Sequence, residues 1–120
     1  YFIYGMYYCL NIVTEEEGRG CAVLIRGVIP DKESIAQIKR NRSRNHQREF
    51  KNNSEKGLSD GPGKLVMALG IPSDLNGAFL FEDNCPLFLE RQTERVLQTQ
   101  PTTRIGISKG TDLNWRFLGR

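Results

Sequence analysis

Apolar and polar residues alternate in blocks along the first thirty residues, and this pattern predicts a β-hairpin. Residues 6–13 are mostly aromatic and aliphatic, which predicts a strand. Residues 14–20 contain three glutamates and two glycines, as a solvated turn would. Residues 21–28 are rich in β-branched and aliphatic side chains and predict a second, buried strand that ends before Pro30.

The middle of the chain has the spacing of two helices. Ile35 and Ile38 recur at helical spacing behind Asp31, a good N-cap residue, and predict a helix from about Lys32 to Arg44. A second helix is predicted to begin near Pro62, because proline suits the first helical turn. Gly70 and Pro72 would end that helix, and residues 45–59 would form a loop between the two.

The last third of the chain predicts three more short strands, at residues 85–90, 103–109 and 115–118. Strands and helices do not alternate regularly along the chain, which disfavours a parallel sheet with crossover helices. We therefore expect an α+β fold over residues 1–120, as a single domain with a curved, mostly antiparallel sheet and flanking helices.

Composition narrows the class of protein. A chain of 120 residues supplies one modest core, and none of its apolar stretches approaches the ~20 residues of a membrane span. Its three cysteines are widely spaced and predict reduced thiols rather than a zinc site. Its one histidine, His46, lies in a polar, basic stretch, which argues against a catalytic triad or a histidine metal site. We expect no metal, no membrane contact and a cytoplasmic-type location.

Positive charge is concentrated in residues 39–51. Six basic residues and one acidic residue give this segment a net charge of +5, so the rest of the chain carries −2 of the total +3. A basic block in a near-neutral chain predicts a footprint for phosphate groups. A solvated helix end followed by a loop explains the same pattern, and both interpretations stay open.

The first eight residues contain all four tyrosines of the chain. Tyrosine has a flat ring with a polar tip and suits stacking on a flat partner at a wet surface. Gly5 predicts a tight turn with Tyr4 and Met6 at its tip, where side chains could enter a stack of bases. The alternative is an aromatic core strand with a bulge at Gly5.

Five sequence blocks, taken in order, resemble the alkyladenine (3-methyladenine) DNA glycosylase family. The blocks are the aromatic run 1–12, the strand 21–27 that ends in Arg26-Gly27, the helix start Gly61-Pro62-Gly63-Lys64-Leu65, the strand Arg104-Ile105-Gly106-Ile107 and the closing Trp115-Arg116-Phe117. The resemblance implies a monofunctional base-excision repair enzyme that flips an alkylated purine out of double-stranded DNA and hydrolyses its N-glycosidic bond. It implies no cofactor, a monomer, and a location with DNA in the bacterial cytoplasm or a nucleus.

The resemblance also implies that the general base is a glutamate in a strand upstream of residue 1. None of the acidic residues present here lies in an apolar setting that would tune it as a base. We therefore expect a partial glycosylase domain that is inactive by itself. A DNA-binding module without catalysis, or an inactive remnant of such an enzyme, remains the alternative.

The resemblance assigns residues of the aromatic run to the damaged base and to the duplex. Tyr1 would stack on the flipped base, and Asn11 would disfavour guanine in the pocket. Tyr4 would be the wedge that fills the gap in the duplex, with Met6 and Tyr7 beside it. A large flat or apolar side chain suits that role, because the wedge replaces a base in the stack.

Four further residues receive roles. Arg26 and the backbone carbonyl of Ile105 would hold the attacking water. Lys64 and Gly63 would bind phosphate, which the free N–H groups and positive dipole of a helix start also favour. A surface lysine beside an ordinary helix start is the alternative for Lys64.

Overall fold

The computed structural model describes residues 1–3, 5–46, 57–90 and 98–119, with only the backbone of residues 45 and 46. These residues form two compact units, Tyr1–Ala78 and Phe79–Arg120. They contain two α-helices and three two-stranded antiparallel sheets, so the predicted mixture of helices and antiparallel strands is confirmed. One continuous curved sheet is not formed among these residues and stays a prediction.

Two hairpins follow each other in the first unit. Strands β1 (Phe2–Ile3) and β2 (Tyr7–Tyr8) pair in the register Phe2 to Tyr8 and Ile3 to Tyr7. Strands β3 (Leu10–Val13) and β4 (Ala22–Ile25) pair from Leu10–Ile25 to Val13–Ala22. The predicted hairpin between residues 6–13 and 21–28 is confirmed in β3 and β4.

The predicted strand 6–13 is divided in two at Cys9, because its two halves pair with different partners. The Cys9 N–H donates to the carbonyl of Tyr1 over 2.7 Å, and the Tyr1 nitrogen donates to the Cys9 carbonyl over 3.0 Å. From Leu10 onward the backbone pairs with β4 instead. Cys9 is buried at this change of partner.

Helix α1 spans Ile35–His46, and helix α2 spans Pro62–Leu69. The Asp31 carboxylate accepts the Ser34 N–H over 2.7 Å, so residues 32–34 form a turn and α1 begins later than predicted. Hydrogen bonds from the Ser34 side chain and from its backbone lower the pKa of Asp31. The predicted start of α2 at Pro62 is confirmed, and so is its end, where the Gly70 N–H donates to the Met67 carbonyl over 3.2 Å. A short 3₁₀ turn, Ser73–Leu75, follows.

The core of the first unit lies between the two helices. Ile38 of α1, Leu58 and Ala68 of α2 form a buried cluster, with Ile35 packed against it. The side-chain amide of Asn41 on α1 donates to the Ala68 carbonyl on α2 over 2.9 Å. Apolar packing and a polar crosslink therefore fix the two helices against each other.

A second set of contacts joins the end of β4 to the segment before α2. The Val28 N–H donates to the Ser59 carbonyl over 3.2 Å, and the Ser59 hydroxyl donates back to the Val28 carbonyl over 2.8 Å. A Cβ on Gly27 would lie 2.9 Å from the Ser59 carbonyl oxygen. Glycine is therefore required at residue 27 for the two backbones to approach this closely.

The second unit contains strands β5 (Thr99–Thr102) and β6 (Arg116–Gly119), which pair from Thr99–Gly119 to Thr102–Arg116. The predicted strand 115–118 is confirmed as β6 with a shift of one residue. The predicted strands 85–90 and 103–109 are wrong. Apolar composition favoured a strand in both segments, but a strand needs a partner, and β6 pairs with the residues that precede Thr103.

No helix in the described part of the chain is long and apolar enough to cross a membrane. The same residues contain no group of three or more His, Cys, Asp or Glu side chains that could hold a metal ion.

Candidate nucleic-acid interface

The aromatic run at the start of the chain folds into a tight, exposed hairpin, as predicted. Gly5 adopts a left-handed backbone with φ of 65°, and the Met6 N–H closes the turn on the Ile3 carbonyl over 3.2 Å. Met6 is 68% exposed in this turn, and Tyr1 is 62% exposed at the other end of the hairpin. Tyr4, the predicted wedge residue, lies outside the described residues.

This exposure bears on the two interpretations of the aromatic run. Phe2, Tyr7 and Tyr8 are also exposed, so within residues 1–120 they do not form the aromatic core strand of the alternative, and the stacking role stays a prediction. The rings of Phe2 and Tyr8 face each other across the hairpin with centroids 4.9 Å apart. Aromatic pairs across antiparallel strands stabilise a hairpin. We infer that this pair helps to hold the turn in place.

Gly63, predicted to bind phosphate, contacts the hairpin. A Cβ on Gly63 would lie 3.1 Å from both Cβ and Cγ of Tyr7. The first turn of α2 and the Tyr7 side chain are therefore in close contact, and a larger residue at position 63 would require the Tyr7 side chain to shift. The sequence-based interpretation missed this packing role, although a glycine inside a helix, where it costs stability, is a signal of close approach.

Three predicted pocket residues lie on the first two hairpins, near the ends of the strands that Cys9 separates. Tyr1 pairs with Cys9 through two backbone hydrogen bonds. Asn11 lies two residues further along and pairs with Leu24, and both it and Arg26 are half-buried. Arg26 comes one residue after the Leu10–Ile25 pair, at the end of this ladder. Their roles as pocket residues stay predictions.

Arg26 is suited to a functional role by its surroundings. The backbone immediately after it is fixed, because Gly27 and Val28 are held against Ser59. Among the described residues, no hydrogen bond or ion pair involves the Arg26 guanidinium. A half-buried guanidinium on a fixed backbone can hold a water molecule or an anion.

Lys64 lies at the start of α2, as predicted, but it already has an anionic partner. Its Nζ donates to Asp60 Oδ1 over 2.7 Å, and both side chains are about half exposed. This hydrogen bond is the main cause of the lowered pKa of Asp60. A phosphate would have to displace the Asp60 carboxylate to reach Lys64, so the phosphate role stays a prediction.

The basic block is not one uniform surface. The Arg40 guanidinium donates to Gln37 Oε1 over 2.7 Å along the exposed side of α1. Arg42 is only 6% exposed, and its Nη1 donates to the Leu58 carbonyl over 3.2 Å. Arg44 is exposed. Arg48 and Lys51 lie outside the described residues.

The inclusion of Arg42 in a phosphate footprint was therefore wrong. Its spacing after Ile35 and Ile38 puts it on the same side of α1 as the core residues, and this spacing is the signal that could have identified it. Burial lowers the pKa of Arg42, and the negative charge of Asp60 acts in the opposite direction. A guanidinium stays charged at neutral pH, so this is a buried cation bonded to a backbone carbonyl.

Ile105 belongs to the second unit and follows β5 by three residues. Ile105 is about half exposed. Among the described hydrogen bonds, none uses its backbone carbonyl. Its role in holding water stays a prediction.

Comparison with known proteins gives one family. The family model for methylpurine-DNA glycosylase matches residues 1–120. No solved structure shows a significant match.

Three curated relatives carry the name "Putative 3-methyladenine DNA glycosylase". The relative from Desulfitobacterium hafniense is 37% identical over 122 residues, covering 98% of this chain and 58% of its own. The relative from Trichodesmium erythraeum is 41% identical, covering 98% and 57%. The relative from Prosthecochloris aestuarii is 43% identical, covering 97% and 51%. The chain thus spans slightly more than half the length of these relatives.

Proposed function

The chain belongs to the methylpurine-DNA glycosylase family, and we propose that the full-length protein excises alkylated purines such as 3-methyladenine from double-stranded DNA. Water attacks C1′ of the deoxyribose, the C1′–N bond breaks, and its electron pair leaves with the base. Alkylation gives the purine a positive charge and makes it a better leaving group. The products are the free base and an abasic site. The proposal requires no metal or cofactor, and a monomer suffices.

The observation that carries this proposal is the hairpin formed by residues 1–9. Its turn exposes Met6, and its other end exposes Tyr1, whose backbone pairs with Cys9, two residues before the half-buried Asn11. A glycosylase needs a side chain that enters the duplex and an aromatic face that receives the extruded base. One hairpin offers candidates for both roles.

The turn is the proposed wedge. Tyr4 would fill the gap that the flipped base leaves, and Met6 and Tyr7 would contact the neighbouring base pairs. Tyr7 has support from behind, because it packs against Gly63 at the start of α2. A supported side chain loses less conformational entropy when it enters a base stack.

The other end of the hairpin is the proposed base pocket. Tyr1 stacks on the purine, and Asn11 discriminates against guanine through its exocyclic amino group. Arg26 and the carbonyl of Ile105 hold the water that attacks C1′. Lys64 and the backbone around Gly63 bind a phosphate of the strand once Lys64 leaves Asp60.

The general base is proposed to be a glutamate from a part of the protein other than residues 1–120. Within the described part of the chain, the carboxylates with shifted pKa values are Asp31 and Asp60, and both are shifted downward. A lowered pKa makes a carboxylate a weaker base. We further propose that residues 1–120 are part of one domain, in which additional strands pair with the free edges of these hairpins and complete a curved sheet.

A comparison of two proteins tests the function. The full-length protein and the 120-residue chain are incubated with duplexes that contain one hypoxanthine or alkyladenine, and abasic sites are counted after alkaline cleavage. We expect excision by the full-length protein and none above background by the chain. Duplex binding by the full-length protein without excision would support the non-catalytic alternative. Turnover by the chain would point to a base within residues 1–120.

A further inference from the structure

A depression of about 500 Å³ lies on the first unit beside the turn of the aromatic hairpin. Its volume falls in the range of about 300–1,000 Å³ that ligand sites occupy. Residues of the hairpin, of α2 with the segment that follows it, and of the second half of α1 form its walls. Its lining residues include Met6, Tyr7, Asn41, Arg44, Met67 and Pro72.

Among the described residues that line the depression, Arg44 is the charged one and none is a carboxylate. The hydrogen bonds and ion pairs of the described residues do not involve its guanidinium. Arg40 and Arg42, on the same helix, differ in this respect: one bonds to Gln37 and the other to the Leu58 carbonyl. The depression therefore has one uncommitted cation and suits an anion.

The remaining walls suit the carbon skeleton of a sugar. Met6, Tyr7, Met67 and Pro72 present apolar surface, and Asn41 adds an amide. A backbone unit of DNA combines these demands, since a phosphate is joined to a deoxyribose with largely apolar faces. Contacts to phosphate and sugar position a protein on the duplex without reading its sequence.

We propose that this depression binds one phosphate and the adjoining deoxyribose of the DNA strand next to the inserted turn, and that Arg44 contacts the phosphate. This inference rests on the proposed function, because the turn that would enter the duplex forms one wall. Arg44 and the turn would then contact the DNA together, and the phosphate contact would set the depth and direction of insertion.

The first test measures the salt dependence of duplex binding by the full-length protein carrying Arg44→Gln, with Arg40→Gln as a control of identical charge change. A lost phosphate contact lowers the slope of log affinity against log salt by about 0.9. The advantage of the wild-type protein over Arg44→Gln should then shrink about threefold between 50 and 200 mM salt. An equal fall of the slope in both variants, or no fall in Arg44→Gln, would overturn the site.

The second test identifies which phosphate of the duplex Arg44 contacts. Single phosphates of the duplex are replaced in turn by neutral methylphosphonates, and each duplex is bound to the wild-type protein and to Arg44→Gln. We expect one position near the lesion at which the methylphosphonate weakens duplex binding by the wild-type protein but not by Arg44→Gln. If the protein excises the base but no such position is found, the phosphate site is wrong and the glycosylase proposal is unaffected. If such a position is found but the protein does not excise the base, the result supports the phosphate site and refutes the glycosylase proposal.

Discussion

Two regions of the first unit are stabilised in different ways. They are the aromatic hairpin (residues 1–9) and the helical layer, which consists of α1, α2 and Leu58. The helical layer buries its apolar residues and uses Asn41 and Arg42 to bond to backbone carbonyls. The hairpin exposes most of its aromatic side chains and is held by its backbone pairing. Both regions lie in the same compact unit and touch where Tyr7 meets Gly63.

We therefore expect the helical layer to stabilise the fold and the hairpin to contact the partner. The helical layer is a platform whose buried contacts supply folding free energy. The hairpin contributes little burial but offers flat, exposed side chains that a partner can cover. Substitutions in the platform should therefore change the free energy of unfolding, and substitutions in the hairpin and the adjoining strand should change DNA binding and excision.

The largest effect is expected from Leu58→Ala in the platform. Leu58 is 1% exposed in the core cluster, and truncating a buried leucine costs about 2–5 kcal/mol of unfolding free energy. Denaturant unfolding of the full-length protein measures this loss, and the base preference of the folded fraction should stay unchanged. Ile29→Ala is the control, because Ile29 is 90% exposed and should change stability by less than about 0.5 kcal/mol.

Gly63→Ala tests the contact between the two regions. The new Cβ would lie 3.1 Å from the Tyr7 ring, and such overpacking costs about 1–3 kcal/mol. Gly61→Ala is the matched control at the same helix start, since its Cβ would meet only the Lys64 side chain at 3.8 Å. Duplex affinity and unfolding free energy should fall more in Gly63→Ala than in the control.

A double-mutant cycle makes the Gly63 test specific. Tyr7→Ala removes the ring that crowds the new methyl group, so the cost of Gly63→Ala should decrease in that background. Equal costs in the presence and absence of the Tyr7 ring would show that Gly63 acts through another contact.

Asn11→Ser should change selectivity without a comparable loss of stability. If Tyr1 stacks on the base as proposed, it accepts guanine as well as adenine, and discrimination comes from the edge of the purine. An edge polar group is worth about 1–3 kcal/mol, and we expect excision of guanine relative to alkyladenine to rise roughly tenfold or more. Tyr1→Ala should slow excision of both bases. An unchanged ratio in an active Asn11→Ser enzyme would make Asn11 a structural residue of β3.

The smallest effect is expected from Asp60→Asn, which removes the exposed ion pair with Lys64. Such a pair contributes about 0.3–0.5 kcal/mol to the free energy of unfolding. The pKa of Asp60 is lowered from 3.8 in the folded protein, so this contribution is present above about pH 3.8 and is lost as the pH falls through the lower value. Unfolding curves of wild-type protein and variant should differ at pH 7 and converge in acid.

The same substitution tests whether Lys64 reaches DNA. Freed from Asp60, Lys64 should strengthen duplex binding at low salt, whereas Lys64→Gln should lower the salt slope by about 0.9. If neither variant changes the slope, Lys64 belongs to the platform and not to the DNA surface.

The sequence by itself determined the elements whose signals are local. The turn at Gly5 and the bounds of α2 at Pro62 and Gly70 follow from backbone preferences of single residues. The hairpin of β3 and β4 follows from two apolar runs separated by a short polar turn. The ordered blocks also identified the family before any fold was known.

The tertiary structure alone decided which segments meet. It divided the strand at Cys9 between two partners, gave Arg42 the Leu58 carbonyl as its hydrogen-bond partner, and packed Tyr7 against Gly63. It also left residues 85–90 and 103–109 outside the strands, although their composition favoured them. Each outcome depends on residues far apart along the chain, and side-chain preference cannot specify a distant partner. Packing and pairing energies select that partner only when the whole unit is assembled.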